Sequence, residues 1–315
     1  MIHTVTLNPA LDKLLFLSEF KRNITNRLNS SDNSIGGKGT HVSINLASLG
    51  IENTAYGITH GKTGEQIIEL LSSYNINVKF IHRKDSDSRT NYLLIEDTGD
   101  CCILASPGAQ VRKEELDELL ILLSQNVKEG DSLILSGDTS NCYDPRVYNH
   151  MLEKLSDRDI KVYLDASGST LLECLSAKPF LIKPNEDELS QICGHDLDTE
   201  QDIISAIEGL SPYGIEIIAV SLGGDGSVVK SPEGIFRVIP PEVSVSNTIG
   251  CGDCFLSGLV FGIEMHYPIE KTLKYATAIS AATAESKYSV GFSPDRANEL
   301  FSNVTVNKVK DPAAS

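Results

Sequence analysis

Residues Ile217-Ile218-Ala219-Val220-Ser221-Leu222-Gly223-Gly224-Asp225-Gly226 run from four unbroken apolar positions into a turn with three glycines. A strand with one solvated face would alternate apolar and polar residues; this one does not, so it reads as a strand from Ile215 to Ser221 covered on both faces. Leu133-Ile134-Leu135, inside a strand expected from Ser132 to Leu135, has the same character. Such strands belong to a parallel sheet flanked by helices, and that requires βα alternation along the chain.

Working outward, the alternation is present. Before the quoted stretch, strands are expected at Lys161 to Leu164 and Phe180 to Ile182, with helices at Lys113 to Leu123, Pro145 to Leu155, Glu186 to Ile192 and Thr199 to Leu210. After it come hairpin strands Ser227 to Lys230 and Gly234 to Val238, then helices of about Gly252 to Met265 and Pro268 to Ser286. The chain opens with a strand, Ile2 to Leu7, ended by Asn8-Pro9, and then a polar loop over residues 13 to 35. A helix after Gly37 carries Val42, Leu46 and Leu49 on one face and stops at Gly50, and Tyr56 to Ile58 with Thr63 to Tyr74 repeats the unit. Val78 to Ile81, Thr90 to Ile95 and Cys101 to Leu104 break the rhythm: three β-leaning runs joined by polar turns, which predict a small antiparallel sheet of their own. The end, from Val306 to Ser315, is expected to fray.

With 315 residues, 41% of them hydrophobic, the chain can bury a sizeable core. No stretch approaches the roughly 18 apolar residues of a membrane span. The first residues lack a basic segment and an apolar signal core, so the expected compartment is the cytoplasm. The net charge of −16 excludes non-specific binding to nucleic acid or anionic lipid, and an anionic substrate needs a local basic pocket. Seven cysteines without regular spacing do not make a disulfide framework. Cys251 and Cys254 form a CxxC, but no second pair supplies the remaining ligands of a zinc site. A redox pair or simply small side chains in a tight turn are the readings left.

Asn247-Thr248-Ile249-Gly250-Cys251-Gly252-Asp253 places a carboxylate behind a glycine-rich turn at a helix start. Backbone N–H groups there can converge on an anion, and the aspartate can accept a substrate proton. Ligands of open α/β sheets sit beyond the carboxyl ends of the strands, which directs attention to four more segments. Asp12, after the first strand, can accept hydrogen bonds from sugar hydroxyls or be a solvated turn residue. Gly36-Gly37-Lys38-Gly39 opens a helix with one lysine, for phosphate or merely for close packing; it is not a Walker A loop, because Gly39 follows the lysine and position 32 is Asp. Lys183-Pro184-Asn185-Glu186-Asp187-Glu188 is a capping box, and its Asn and Glu could equally organise water around Mg²⁺. Ser221 to Gly226 is a hairpin turn or a wall for nucleotide.

Taken together, TLNPALDK, GGKG at 36 to 39, Ser136-Gly137, the aspartate of LDASG at 165, KPNEDEL from 183, SLGGDGS from 221 and NTIGCGD from 247 resemble the PfkB/ribokinase family of sugar kinases. Within it they resemble the branch of 1-phosphofructokinase and tagatose-6-phosphate kinase. The resemblance implies one ribokinase-like α/β domain over 1–310, a parallel-sheet sandwich with a small β-sheet lid from about 13–34 and 78–105 and a flexible tail at 311–315. It implies phosphorylation of a ketohexose phosphate, foremost fructose 1-phosphate, with ATP and Mg²⁺. Asp253 would be the base, and the N–H groups of Gly250, Cys251 and Gly252 the anion hole. Asp12, Gly37, Lys38, His41, Arg89 and Ser136 would contact substrate, Arg89 at its phosphate. Lys183, Asn185, Ser221, Gly223 and Gly226 would hold nucleotide, and Asn185 and Glu188 would organise Mg²⁺ through water. A homodimer through the lid is a further implication. His41 departs from the pattern, standing where many members carry Asn, and Cys251 and Cys254 replace small residues.

Tagatose 6-phosphate is the nearest rival acceptor, and an unphosphorylated sugar comes third. The charges of Lys38 and Arg89 are expected to lack a partner unless the substrate already bears phosphate. A dehydrogenase would need GxGxxG after the first strand, and residues 8 to 13 contain no glycine. A non-catalytic sugar-phosphate sensor would have no use for Asp253.

Overall fold

Ile217–Ser221 is a strand in the computed structural model, which describes residues 1–137 and 139–312, and its first four residues are buried as their composition demands. It lies in a ten-stranded sheet whose parallel part, in chain order, is β1 (Ile2–Thr6), β4 (Asn53–His60), β5 (Asn77–Arg83), β8 (Ser132–Ser136), β9 (Lys161–Asp165), β10 (Leu181–Ile182) and β11 (Ile217–Ser221). Strands β12 (Ser227–Ser231), β13 (Gly234–Ile239) and β14 (Thr305–Lys310) extend it antiparallel, giving the order β14-β13-β12-β11-β10-β9-β8-β1-β4-β5. The sheet is therefore mixed.

Two apolar layers cover its faces. On one, α3 (Lys113–Asn126), α4 (Val147–Lys154), α5 (Gly168–Cys174), α6 (Glu186–Cys193) and α7 (Glu200–Gly209) bury Leu119, Met151, Leu171, Leu189 and Ile207 against Leu133, Leu135 and Val220. On the other, α1 (Lys38–Ser48), α8 (Cys251–Glu264), α9 (Ile269–Ala284) and α10 (Pro294–Phe301) bury Val42, Leu259, Leu273 and Leu300 against Ile134, Ala219 and Val229. Burying each such side chain stabilises the fold by about 1.5–3 kcal/mol. Helix α2 (Gly61–Ser72) packs Ile67 and Leu71 in a smaller cluster with Leu11 and Ile44. Gly258 lets α8 lie against α9, because a Cβ there would stand 2.5 Å from the Cα of Ala276.

A separate four-stranded sheet, in the order β3-β2-β6-β7, comprises β2 (Ala10–Leu17), β3 (Ser30–Gly36), β6 (Arg89–Glu96) and β7 (Cys101–Leu104). Its composition corrects the sequence reading in two places. Val78 to Ile81 belongs to β5, paired parallel with β4 in the large sheet, so the small sheet does not reach back to residue 78. Residues 10–17 and 30–36 form strands where a loop is expected over 13 to 35, and β6 pairs with the first of them in parallel, so the small sheet is not wholly antiparallel. The run Ala10-Leu11-Asp12-Lys13-Leu14 hides its alternation because Asp12 is among its inward residues, together with Leu14. Residues 306–310, expected to fray, are held in β14 by pairing with β13, and 313–315 of the expected tail lie outside the described residues. Among the described residues no helix is long and apolar enough to cross a membrane.

Candidate active site

The turn at 247–253 is fixed from three sides. Asn247, buried, accepts the N–H of Ile249 on Oδ1 at 2.8 Å and donates through Nδ2 to the Tyr288 carbonyl at 3.3 Å. Gly250 has φ of +81°, and the Ser289 carbonyl oxygen occupies the space a Cβ would need, so only glycine fits. Helix α8 starts at Cys251, and its first-turn N–H groups, which lack acceptors within the helix, are presented at this turn. The Cys251 N–H makes only a long contact, 3.4 Å, with the Thr248 carbonyl. Asp253 in that first turn is 7% exposed, and its Oδ2 lies 2.7 Å from Nδ1 of His41.

His41 comes from α1, whose glycine entry is explained by close packing. A Cβ at Gly36 would overlap the Asp12 carboxylate, and one at Gly39 would stand 2.5 Å from the Val5 carbonyl oxygen. Gly37 has φ of +110° beside Thr6 and Pro9. These contacts press α1 onto the end of β1 and aim Lys38 along the strand ends. Asp12 is buried opposite Asn91 in the parallel β2–β6 register and accepts from its Nδ2 at 2.8 Å. Burial pushes the Asp12 carboxyl upward, against the opposing pull of His41, Asn91 and Arg89. Arg89 Nε donates to the Asn8 carbonyl at 3.0 Å, which orients the guanidinium beside the same pocket.

At the end of β9 stands Asp165, 1% exposed, with Lys38 Nζ at 3.1 Å from one oxygen and Lys183 Nζ at 3.4 Å from the other. Burial alone would raise its pKa, but the two ammonium groups outweigh burial and hold it below the usual carboxylate range. Lys38 is correspondingly raised: burial disfavours its charge, and Asp165, Asp253 and Glu188 together overcome that. The expectation that Lys38 would lack a partner without substrate phosphate is thus incorrect; Asp165 supplies one. Lys183 also lies near the turn, since a Cβ at Gly252 would be 3.6 Å from its Nζ.

Asn185 caps α6, accepting the Glu188 N–H at 2.7 Å while Glu188 Oε2 accepts the Asn185 N–H at 3.0 Å. The capping reading holds, and it does not exclude the other, because both residues also line the cleft. Ser221 is joined to this segment by its N–H to the Pro184 carbonyl, 3.0 Å.

A cleft of about 430 Å³ collects these groups: Asp12, Gly37, Lys38, His41, Arg89, Lys183, Asn185, Glu188, Ser221, Gly250, Gly252 and Asp253 all line it. Four expected residues stand apart from the lining. Ser136 is fully buried in β8, and Gly137 takes the lining position. Cys251 contributes backbone behind the turn. Gly223 and Gly226 build the turn after β11, where a Cβ at Gly226 would overlap the Val238 carbonyl oxygen. Asn91, Thr6, Asn8 and Asp165 also line the cleft and were not among the expected site residues. The pairing of Asn91 with Asp12 spans 79 residues and leaves no local mark, whereas Asp165 stood in LDASG at a strand end. A second groove, about 410 Å³, lies between α5, α6 and α7 around Leu172, Ile192 and Tyr213 and contains none of the parallel-strand ends.

Burial pushes the Cys251 thiol up to about 11 and that of Cys254 to about 12, so both stay protonated at neutral pH, against the redox reading of the CxxC. Among the described residues no three His, Cys, Asp or Glu side chains cluster to hold a metal ion. Mg²⁺ needs less from protein, keeping several waters and taking one or two carboxylates plus phosphate, and Glu188 at the lysine-lined end of the cleft suits that role.

The family profile described as pfkB family carbohydrate kinase matches residues 5–296. The 1-phosphofructokinase of Bacillus subtilis is 31% identical over 91% of this chain and 93% of its own length. The tagatose-6-phosphate kinase of Staphylococcus epidermidis is 29% identical over 98% of this chain and all of its own. Among solved structures, phosphofructokinase-2 of Escherichia coli superposes with a TM-score of 0.89 at 24% identity, covering 96% of this chain and 98% of that one, a likeness in fold alone.

Proposed function

Since the chain belongs to the pfkB family of carbohydrate kinases and has the ribokinase-like α/β fold, we propose that it moves the γ-phosphoryl group of ATP to a hydroxyl of fructose 1-phosphate, giving fructose 1,6-bisphosphate. The observation that carries this is one cleft with a carboxylate behind a glycine turn at one wall and Asp12, Asn91 and Arg89 at the other. The substrate hydroxyl gives its proton to Asp253 as its oxygen bonds to the γ-phosphorus. The bond from that phosphorus to the β,γ-bridging oxygen breaks, and its electron pair leaves with ADP. N–H groups at 250–252 and the Lys183 ammonium stabilise the charge on the moving group, each oxyanion donor being worth about 10²- to 10³-fold in rate. Asp12 and Asn91 hold sugar hydroxyls, and Arg89 offers its fork to the existing phosphate. Glu188 and Asn185 would hold Mg²⁺, and that ion would supply neutralisation of charge on the nucleotide phosphates.

Tagatose 6-phosphate is the second reading, favoured by the end-to-end match to a kinase named for that substrate. Residues 1–310 act as one kinase domain in the cytoplasm, with the four-stranded sheet as its lid. The lid's outer face, bearing Tyr92, Leu15 and Leu94, is the surface for a homodimer.

The test is ADP release with fructose 1-phosphate, tagatose 6-phosphate, fructose 6-phosphate and fructose, ranked by kcat/KM. Fructose 1-phosphate should rank first, and Asp253→Asn should lower its kcat by about 10²- to 10⁴-fold, the span of general-base catalysis. A higher rank for unphosphorylated fructose, or full turnover by Asp253→Asn, would sink the proposal.

A further inference from the structure

His41 is 4% exposed, and both its ring nitrogens face acceptors. Nε2 is 2.7 Å from the Ile35 carbonyl oxygen, and Nδ1 is 2.7 Å from Asp253 Oδ2. A carbonyl oxygen can only accept, so Nε2 carries a proton. A neutral imidazole would then turn a bare lone pair towards the carboxylate at Nδ1. The arrangement closes only with one more proton between ring and carboxylate, and an aspartate holding that proton would be no base.

We propose that His41 is a positioning residue for Asp253: as an imidazolium it clamps Oδ2, leaves Oδ1 for the substrate hydroxyl, and makes the enzyme's turnover fall when the ring loses its proton. This rests on the kinase reading for its catalytic consequence, but the protonation state of the ring does not. An amide at position 41 can donate a hydrogen bond to a carboxylate and has no proton to lose in this range, so the histidine adds pH dependence to a contact that asparagine would make constant.

The surroundings favour the charged ring. From α8, Asp253 faces it, backed by the protonated thiols of Cys251 and Cys254. From β2 comes the buried Asp12, which is also attracted to Arg89 of β6. On α1, Lys38 turns away to Asp165, while β3 offers the neutral Ile35 carbonyl. Burial pulls the imidazole pKa down, but Asp253, Asp12 and the Ile35 carbonyl together carry it above the usual value. The charged clamp is therefore present below the ordinary imidazole value and lost as pH rises through the raised one.

Two measurements decide it. The ¹⁵N shifts of the His41 ring in the substrate-free protein should show both nitrogens protonated at pH 6.5, with a titration midpoint above that of a free histidine. A neutral tautomer at pH 6.5 overturns the proposal whatever the enzyme phosphorylates. In kinetics with the preferred phosphosugar, wild type should show a decline in kcat with rising pH that His41→Asn lacks, a comparison that also cancels the titrations of ATP and sugar phosphate. His41→Phe should lose about 100-fold in kcat, the cost of a reacting group displaced by about 1 Å. An alkaline decline retained in His41→Asn overturns the clamp, whereas absence of turnover in wild type with every phosphosugar, alongside a doubly protonated ring, would fault the kinase reading alone.

Discussion

Asp165 is the residue on which the charges of the cleft turn. Two lysines from different elements converge on it, so it holds in place the two cations that line the cleft. Its carboxyl is depressed in the folded protein, hence its contribution to stability is complete above the unfolded value of about 3.9 and is lost as pH falls through the folded value. Lys38→Met should lower the unfolding free energy by about 2 kcal/mol at pH 7, less than a fully buried pair because Lys183 still faces Asp165 and Lys38 is partly exposed. Urea unfolding across pH should show this deficit shrinking below about pH 4. A deficit independent of pH would mean that Lys38 acts by packing alone. The positions of Asp253, Asp12, Gly37, Gly250 and Gly252 at the cleft were legible in the sequence because their signals are local: a carboxylate beyond a strand, a turn needing positive φ. The roles of Asp165 and Asn91 were not, since each depends on a partner brought from a distant segment.

At the scale of the element, α6 shows how one cap can close a helix and line a cleft at once. Asn185 and Glu188 exchange hydrogen bonds across the first turn, and both face the cleft. Asn185→Ala should cost about 1 kcal/mol in urea unfolding, the usual worth of such a cap. Glu188→Gln keeps a side-chain oxygen for the cap but removes the charge. It should leave Tm within a degree or two and raise the Mg²⁺ concentration for half-maximal activity several-fold; an unchanged Mg²⁺ requirement would confine Glu188 to capping. Periodicity made the long helices and the parallel strands readable. It failed at β2, where the buried Asp12 interrupts the apolar face, and at α10 and β14, which take their order from packing on α9 and β13.

At the scale of the whole molecule, the small sheet presents two unlike faces. Leu14, Leu93 and Ile95 pack inward with Ile249 of the glycine turn, while Tyr92 on the outer side is 41% exposed and β7 is exposed at every residue. Tyr92→Glu should therefore convert the proposed homodimer to monomer, read as a halved mass by light scattering at micromolar concentration. A wild type already monomeric there would remove the lid from consideration as an interface. The same sheet bears on the order in which the protein is made. Its central strands, β2 and β6, are joined side by side although α1, β4, α2 and β5 lie between them in the chain. Closing so long a loop is costly until the intervening elements have packed, so the small sheet should be the last part to form and the first to open in native-state hydrogen exchange. Asp12 and Asn91 meet only across that pairing, so if they bind the sugar as proposed, its binding would report completion of folding.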